Sequence, residues 1–396
     1  MTMAKRAFII VCDSFGIGGA PDAKEFGDAG ANTLASIVKS EKYDTPLLKE
    51  MGLFNIVDVD CAEGVEAPTA SFARIQEASM GKDTTIGHWE IAGIISEKPL
   101  PTFPNGFPRE FMEKFEAAVG RKTVCNLPYS GTEALKDFGE HHLKTGDLII
   151  YTSADSVFQV AAHESLVPVE ELYRICDIAR EMLTESGECA VGRVIARPFL
   201  GDSADTFKRT TNRHDVSLEP PKKTMLDCIR EAGQETIGVG KIYDIFAGIG
   251  VSEKIKSAGN DNGMEITIDL ADRDFEGLAF INLVDFDMVF GHRRDIDGYA
   301  DCATRFDRQL AEFLPKMKED DLLIITADHG CDPGYTQTTD HTRECIPMIA
   351  YGPGIKAGVD LGTLNTYADI AQTVCEHLGV PCSELAGTSF LGKIKK

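Results

Sequence analysis

The chain has a single tryptophan, no Cys-x-x-Cys pair and no long apolar run, and each shortage removes a class of protein. Its 11 cysteines are odd in number and scattered. That pattern argues against a disulfide scaffold or a structural zinc site and fits reduced thiols in a cytoplasmic protein. No apolar run approaches the roughly 18 residues that a membrane-spanning helix needs. The opening run AFIIVC stops at Asp13 without a signal-peptide cleavage pattern, so neither membrane insertion nor export is expected. Positive charge is also short. The 40 Lys and Arg against 63 Asp and Glu leave a formal net charge of -23. Because the acids are spread along the chain, neither nucleic acid nor an anionic membrane is an expected partner, and no obligate protein partner is implied. An anionic small molecule is still compatible, since a bound metal or a small basic pocket reverses the sign locally.

What the sequence does contain is a repeated way of ending a strand. Its 396 residues are 43% hydrophobic, enough for a sizeable core, and the length suggests two domains. Short apolar runs stop at an acid, and Gly, His or Ser follows: AFIIVCDSFGIGG, DLIIYTSADS, LAFINLVDFDMVFGH and DLLIITADHGCDP. Unbroken runs of this kind suit strands buried on both faces, as in a parallel sheet covered by helices. Helical stretches such as VEELYRICDIAREMLTES and YADIAQTVCEHLG alternate with them, so the class is α/β. In such sheets ligands gather beyond the carboxyl ends of the strands, where these acids stand. Two breaks interrupt the rhythm, PLPTFPNGFP and SLEPPKK, and both read as linkers. They predict a core built from residues 1–99 and 220–396, with an inserted α/β cap domain at 100–219.

Three histidines stand close to carboxylates: His292 in DFDMVFGHRRD, His329 in TADHG and His341 in TTDHTRE. Asp13 joins them from the first strand. Carboxylate and imidazole without cysteine suit Mn²⁺, Zn²⁺ or Fe²⁺. About six ligands are too many for one ion and suit two, which can clamp the attacking and leaving oxygens of a phosphoryl transfer. A lone Asp-His pair after a strand is ordinarily a capping pair; three of them at strand ends favour a metal site. His377 and the pair His141–His142 read as surface or packing residues, while His163 and His214 are candidate substrate contacts. Residues 81–90, GKDTTIGHWE, set two threonines after an acid. Asp-Thr-Thr reads as a helix cap, and a helix start also favours a phosphate. Gly81 and Gly87 allow close backbone approach, and Trp89 anchors the loop in the core.

Together these stretches resemble the alkaline phosphatase superfamily and, within it, the prokaryotic phosphopentomutase family. DSFGIGGAPDA, GKDTTIGHWE, DFDMVFGHRRD, TADHGCDP and TDHTRE match that family's signatures in order over almost the whole chain. The resemblance implies an alkaline phosphatase-like core with a mainly parallel sheet flanked by helices, plus the inserted cap. It implies two ions, expected to be Mn²⁺: one held by Asp13, Asp328 and His329, the other by Asp287, His292 and His341. Asp287 is preferred to Asp285 because the family's acid stands five positions before the histidine of GHRRD. Ala327 and Cys331 depart from the family pattern without removing a ligand. The implied reaction is an isomerisation in nucleoside catabolism, between ribose 1-phosphate, or its deoxy analogue, and the 5-phosphate. It would run through a phosphothreonine at Thr85 and a bisphosphate, with glucose 1,6-bisphosphate as an activator. Sugar-phosphate contacts are expected from Ser153, Asp155, Val157, Arg193, Arg209 and Lys241. A cap would exclude water from the phosphoenzyme. The rivals are a metal-dependent phosphatase and a cofactor-independent phosphoglycerate mutase on the same core.

Overall fold

The computed structural model describes residues 5–153 and 155–396. Strands β1 (Arg6–Cys12) and β2 (Ser71–Ile75) come first. Next are β3 (Thr123–Pro128), β4 (Leu148–Thr152), β5 (Val157–His163), β6 (Arg193–Leu200), β7 (Lys208–Arg209) and β8 (His214–Ser217). The last are β9 (Glu235–Val239), β10 (Glu253–Ile255), β11 (Gly277–Leu283), β12 (Asp321–Thr326), β13 (Ile346–Tyr351) and β14 (Asp360–Leu364). The chain divides into two compact units, one of residues up to Pro99 with Pro220–Lys396 and the other of Leu100–Glu219.

In the first unit eight strands form one sheet in the order β10-β9-β11-β1-β12-β13-β2-β14. Only β13 runs against the rest. Every residue of β1, β11 and β12 is buried, which is why their sequences are apolar without alternation. Helices pack on this sheet, Asn260–Asp272 against β11 and Ala368–Leu378 against β1. A buried pair fixes the amino end of the sheet. Arg6 Nε donates to Asp321 Oδ1 at 2.8 Å, and Arg6 Nη1 donates to the carbonyls of Ala271 and Arg273, so the guanidinium is satisfied where water is excluded. The register aligns the other end. Cys12 lies opposite Leu283 and Val11 opposite Thr326, so the segments bearing Asp13, Asp287 and Asp328 leave the sheet together.

The second unit has its own six-stranded sheet, β3-β4-β5-β6-β7, with β8 also paired to β6. Helices Arg109–Val119 and Val169–Ser186 cover one apolar core around Phe115, Phe158 and Val194, and helix Gly131–Thr145 contributes Ala134 and Leu135 to another. The proline-rich stretch PLPTFPNGFP is not the bare linker that its composition predicts. Phe103 and Phe107 stack at 4.2 Å, and Phe107 is buried in the core, so aromatic packing overrides the breaker residues. All 11 cysteines are free. Among the described residues no helix is long and apolar enough to cross a membrane.

Candidate metal centre

The carboxyl ends of β1, β11 and β12 bring two ligand groups together. Asp13, which directly follows β1, meets Asp328 and His329 just past β12. Asp287 and His292, beyond β11, meet His341. Within each group the candidate ligand atoms lie within 4.8 Å of one another. The two groups adjoin, since the His329 and His341 rings are 4.1 Å apart. The spacing of Asp287 and His292 has a local cause. Five residues apart on an α-helix, two side chains diverge by roughly 140°. Here Phe286–Gly291 is a π-helix, and the His292 amide donates to the Asp287 carbonyl, which returns the two side chains to one side. Asp287 Oδ2 is then 3.3 Å from His292 Nε2. Asp285, the alternative acid, instead accepts from the Asn260 amide at 2.7 Å.

The donor set fits divalent cations. Nδ1 of His329 donates to the Gly330 carbonyl at 3.0 Å and Nδ1 of His292 to that of Thr339 at 2.7 Å. Each Nε2 therefore presents a lone pair to the cluster. Asp13 Oδ1 and Asp287 Oδ1 are buried and find no hydrogen-bond donor. Oxygens and nitrogens rich in lone pairs face each other at 3.1–3.5 Å: His329 Nε2 with Asp13 at 3.5 Å, and His341 Nε2 with His292 Nε2 at 3.1 Å. Roughly this spacing separates ligands that share one ion with bonds of about 2.1 Å. Burial, then repulsion by Asp328 and Asp287, pushes Asp13 up to about 8. Burial pushes His329 down to about 4, so its imidazole is neutral at pH 7. Crowded carboxylates beside the neutral His329 imidazole suit a divalent cation.

The threonine stretch starts a helix, Thr84–Ile91, against this centre. Asp83 is its N-cap and accepts from the amides of Thr85 and Ile86. The hydroxyl that reaches the ligands belongs to Thr84, with Oγ1 3.2 Å from His329 Nε2. Thr85 stands next to it at the helix start. A Cβ on Gly87 would collide with the Asp328 carbonyl, so only glycine lets the helix come this close. Trp89 is buried, 2% exposed, and holds the helix to the core.

The expected sugar-phosphate residues fall into both units. Lys241 belongs to the first; its Nζ lies 4.0 Å from the Met288 sulfur, and its charge favours ionisation of Asp13. In the second unit, Ser153 directly follows β4, and the Asp155 amide donates to Ser153 Oγ at 3.3 Å. Val157 opens β5 and pairs with Arg193 at the start of β6. The Val157 side chain is buried, so only its backbone can serve a ligand. Arg209 lies on β7. His163 and His214 have other work: His163 Nε2 donates to the Gly201 carbonyl and its Nδ1 accepts from Ser165, and His214 lies on Tyr173 at 4.6 Å.

Several residues at the centre escape a reading of motifs. His88 is fully buried with Nδ1 3.0 Å from Asp328 Oδ2, and Asn282 donates to Asp13 Oδ2 at 2.8 Å. Both hold a ligand carboxylate in place. The signal for Asn282 was visible, an amide inside the apolar run of β11; His88 shared its motif with the threonines. Arg294 donates to the carbonyls of Gly291, Asp332, Thr338 and Asp340, tying the π-helix to the loop that carries His341.

Comparison with known proteins agrees with this geometry. The Metalloenzyme superfamily model matches residues 5–382. A phosphopentomutase of Lachnoclostridium phytofermentans is 56% identical over 99% of this chain and 100% of its own length. Those of Acetivibrio thermocellus and Caldanaerobacter subterraneus are 52% and 51% identical, over 98% and 99% of this chain and 100% and 98% of theirs. Full-length identity at this level, together with two carboxylate–histidine groups ready for divalent ions, places the chain in the phosphopentomutase family of metalloenzymes, an isomerase by membership.

Proposed function

We propose that the chain interconverts ribose 1-phosphate, or its 2-deoxy analogue, and the corresponding 5-phosphate. The carrying observation is the start of helix Thr84–Ile91, lodged against the Asp13, Asp328 and His329 group by Gly87 and by the Thr84–His329 contact. Two Mn²⁺ ions, held by Asp13, Asp328 and His329 and by Asp287, His292 and His341, would supply Lewis-acid charge neutralisation and would acidify a facing hydroxyl. Thr85 is the phosphoryl carrier. Its phosphoester Oγ–P bond breaks as a sugar hydroxyl oxygen forms a new bond to phosphorus and loses its proton, giving a sugar bisphosphate. The bisphosphate then returns its other phosphoryl group to Thr85 and leaves as the isomer. Lys241, Arg193 and Arg209 bind sugar phosphate, and Ser153, Asp155 and the Val157 backbone orient the ribose through hydrogen bonds. A trace of glucose 1,6-bisphosphate activates by charging Thr85.

Two measurements test this. In ³¹P NMR of the manganese-loaded chain with ribose 1-phosphate, the 5-phosphate should grow without inorganic phosphate. Phosphosite mapping after incubation with glucose 1,6-bisphosphate should find phosphate on Thr85. Release of inorganic phosphate in place of the isomer would establish a hydrolase.

A further inference from the structure

Residues 76–83 lead from β2 into helix Thr84–Ile91 without belonging to a strand or helix, yet alternate residues Glu77, Ser79 and Gly81 are buried. A buried stretch without a ladder must find partners for its peptide groups elsewhere. One guanidinium meets three of them. Nη2 of Arg343 donates to the Glu77 carbonyl at 2.9 Å, and Nη1 faces the carbonyls of Ser79 and Gly81 at 2.9 and 2.5 Å. The amides of Ala78 and Ser79 donate to Glu90 at 2.9 and 2.6 Å. Arg343 is 2% exposed, and its charge is met by Glu77 at 2.6 Å and Asp22 at 2.9 Å. Its guanidinium also lies over the Phe26 ring, 4.7 Å from the centroid.

Arg343 stands two residues after His341, so these contacts tie the entry to the threonine helix to the loop that carries a candidate ligand. A second tie runs beside the first. The Arg343 amide donates to Asp28 Oδ2 at 2.9 Å, and Asp28 is 1% exposed. Lys82 Nζ donates to the same carboxylate, 2.9 Å from Oδ2 and 3.2 Å from Oδ1. It also lies 3.7 Å from Asp340, the neighbour of His341. Lys82 is three residues before Thr85. Stability alone does not ask for such an arrangement, because a buried ion pair is often no better than well-packed apolar residues of the same volume. What forked and charged contacts add is a fixed spacing between the two segments.

We propose that Arg343, Asp28 and Lys82 are positioning residues, a clamp that fixes the start of helix Thr84–Ile91 against the His341 loop and so sets where the threonine hydroxyls stand at the metal centre. In phosphoryl transfer the protein contributes mainly placement and charge, and a displacement of about 1 Å can cost roughly 10²-fold in rate. That a clamped hydroxyl carries the phosphoryl group rests on the reading of Thr85 above; the clamp itself does not.

The manganese-loaded full chain is compared as wild type, Lys82→Met, Lys82→Arg and Arg343→Lys. Lys82→Met removes the charge at similar length, and Arg343→Lys keeps the charge but loses the fork that spans three carbonyls. Hydrogen exchange in peptides from residues 77–90, read by mass spectrometry, should quicken at least about threefold in both. Isomerisation kcat should fall roughly tenfold to hundredfold, with KM for ribose 1-phosphate within about threefold and bound manganese per chain unchanged. Lys82→Arg, which can still fork onto Asp28, should recover most of kcat. If Arg343→Lys does not fold, the two Lys82 variants decide. Wild-type exchange or wild-type kcat in Lys82→Met overturns the clamp, as does a loss of activity that follows a loss of manganese or appears in KM alone. Faster exchange and lower kcat, in a chain whose wild type takes no phosphate onto Thr85 from glucose 1,6-bisphosphate, uphold the clamp and overturn Thr85 as the carrier.

Discussion

Adjacent threonines with different neighbours make the sharpest residue-scale contrast. Thr84 Oγ1 contacts His329 Nε2, a nitrogen that cannot serve this hydroxyl and a metal ion at once. Loading the centre would therefore release Thr84, whereas Thr85 is the proposed nucleophile. Thr85→Ala should lower kcat by at least about 10³-fold and remove phosphate from residues 81–90 in peptide mass spectra, with metal binding largely kept. Thr84→Ala should stay within about tenfold of wild type. A dead Thr84→Ala beside an active Thr85→Ala would shift the nucleophile by one position. Gly87 offers a second case, since a methyl group there overlaps the Asp328 carbonyl. Gly87→Ala should cost about 1–3 kcal/mol in thermal unfolding and a larger share of activity, because the displaced helix start carries the proposed nucleophile. Equal losses in Gly87→Ala and in an alanine at exposed Gly392, where an added Cβ meets nothing, would deny the close approach its importance.

Elements decide how much of the centre could be read without coordinates. The three central strands were legible because burial on both faces writes an unbroken apolar run, and each run stops at or just before an acid. The pairing of Asp287 with His292 was legible only through the family spacing. On an ordinary helix that spacing separates the two, and nothing in FDMVFG announces a π-turn. Phe103 and Phe107 show the reverse error, where prolines and glycines concealed aromatic core residues. His88 was hidden because its role depends on a contact 240 positions away in sequence, with Asp328. Residues that hold ligands through such contacts should act on metal affinity more than on the fold. His88→Ala should weaken metal binding roughly 10–100-fold in calorimetric titration while far-ultraviolet circular dichroism stays unchanged. Unaltered affinity would reduce His88 to a packing residue. His341→Ala, which removes one ligand of the second group, should lower bound manganese from about two ions per chain towards one and abolish turnover.

At the scale of the whole molecule, the two units answer to different chemistry. The first holds all six candidate metal ligands and both threonines; the second contains Arg193, Arg197, Arg209 and its own apolar core. A sheet with its own buried cluster of aromatic and aliphatic residues should fold without the rest of the chain. Residues 100–219 expressed alone should unfold cooperatively. The complementary chain, residues 1–99 joined to 220–396 by a flexible linker, should keep the eight-stranded sheet and bind manganese, with EDTA lowering its melting temperature by several degrees. Its chemistry should change in kind. Phosphorylated Thr85 would still form, but the arginines proposed to bind the acceptor sugar phosphate would be gone. Water would then be the acceptor, so inorganic phosphate should accumulate from ribose 1-phosphate while isomer formation falls below detection. Adding the separate 100–219 unit back tests whether linkage matters, because a tethered domain acts at a high effective concentration that a free one cannot reach. If the shortened chain still isomerises pentose phosphates at the rate of the full chain, then the second unit contributes neither acceptor binding nor protection of the phosphothreonine, and Lys241 with the metal centre must suffice for both.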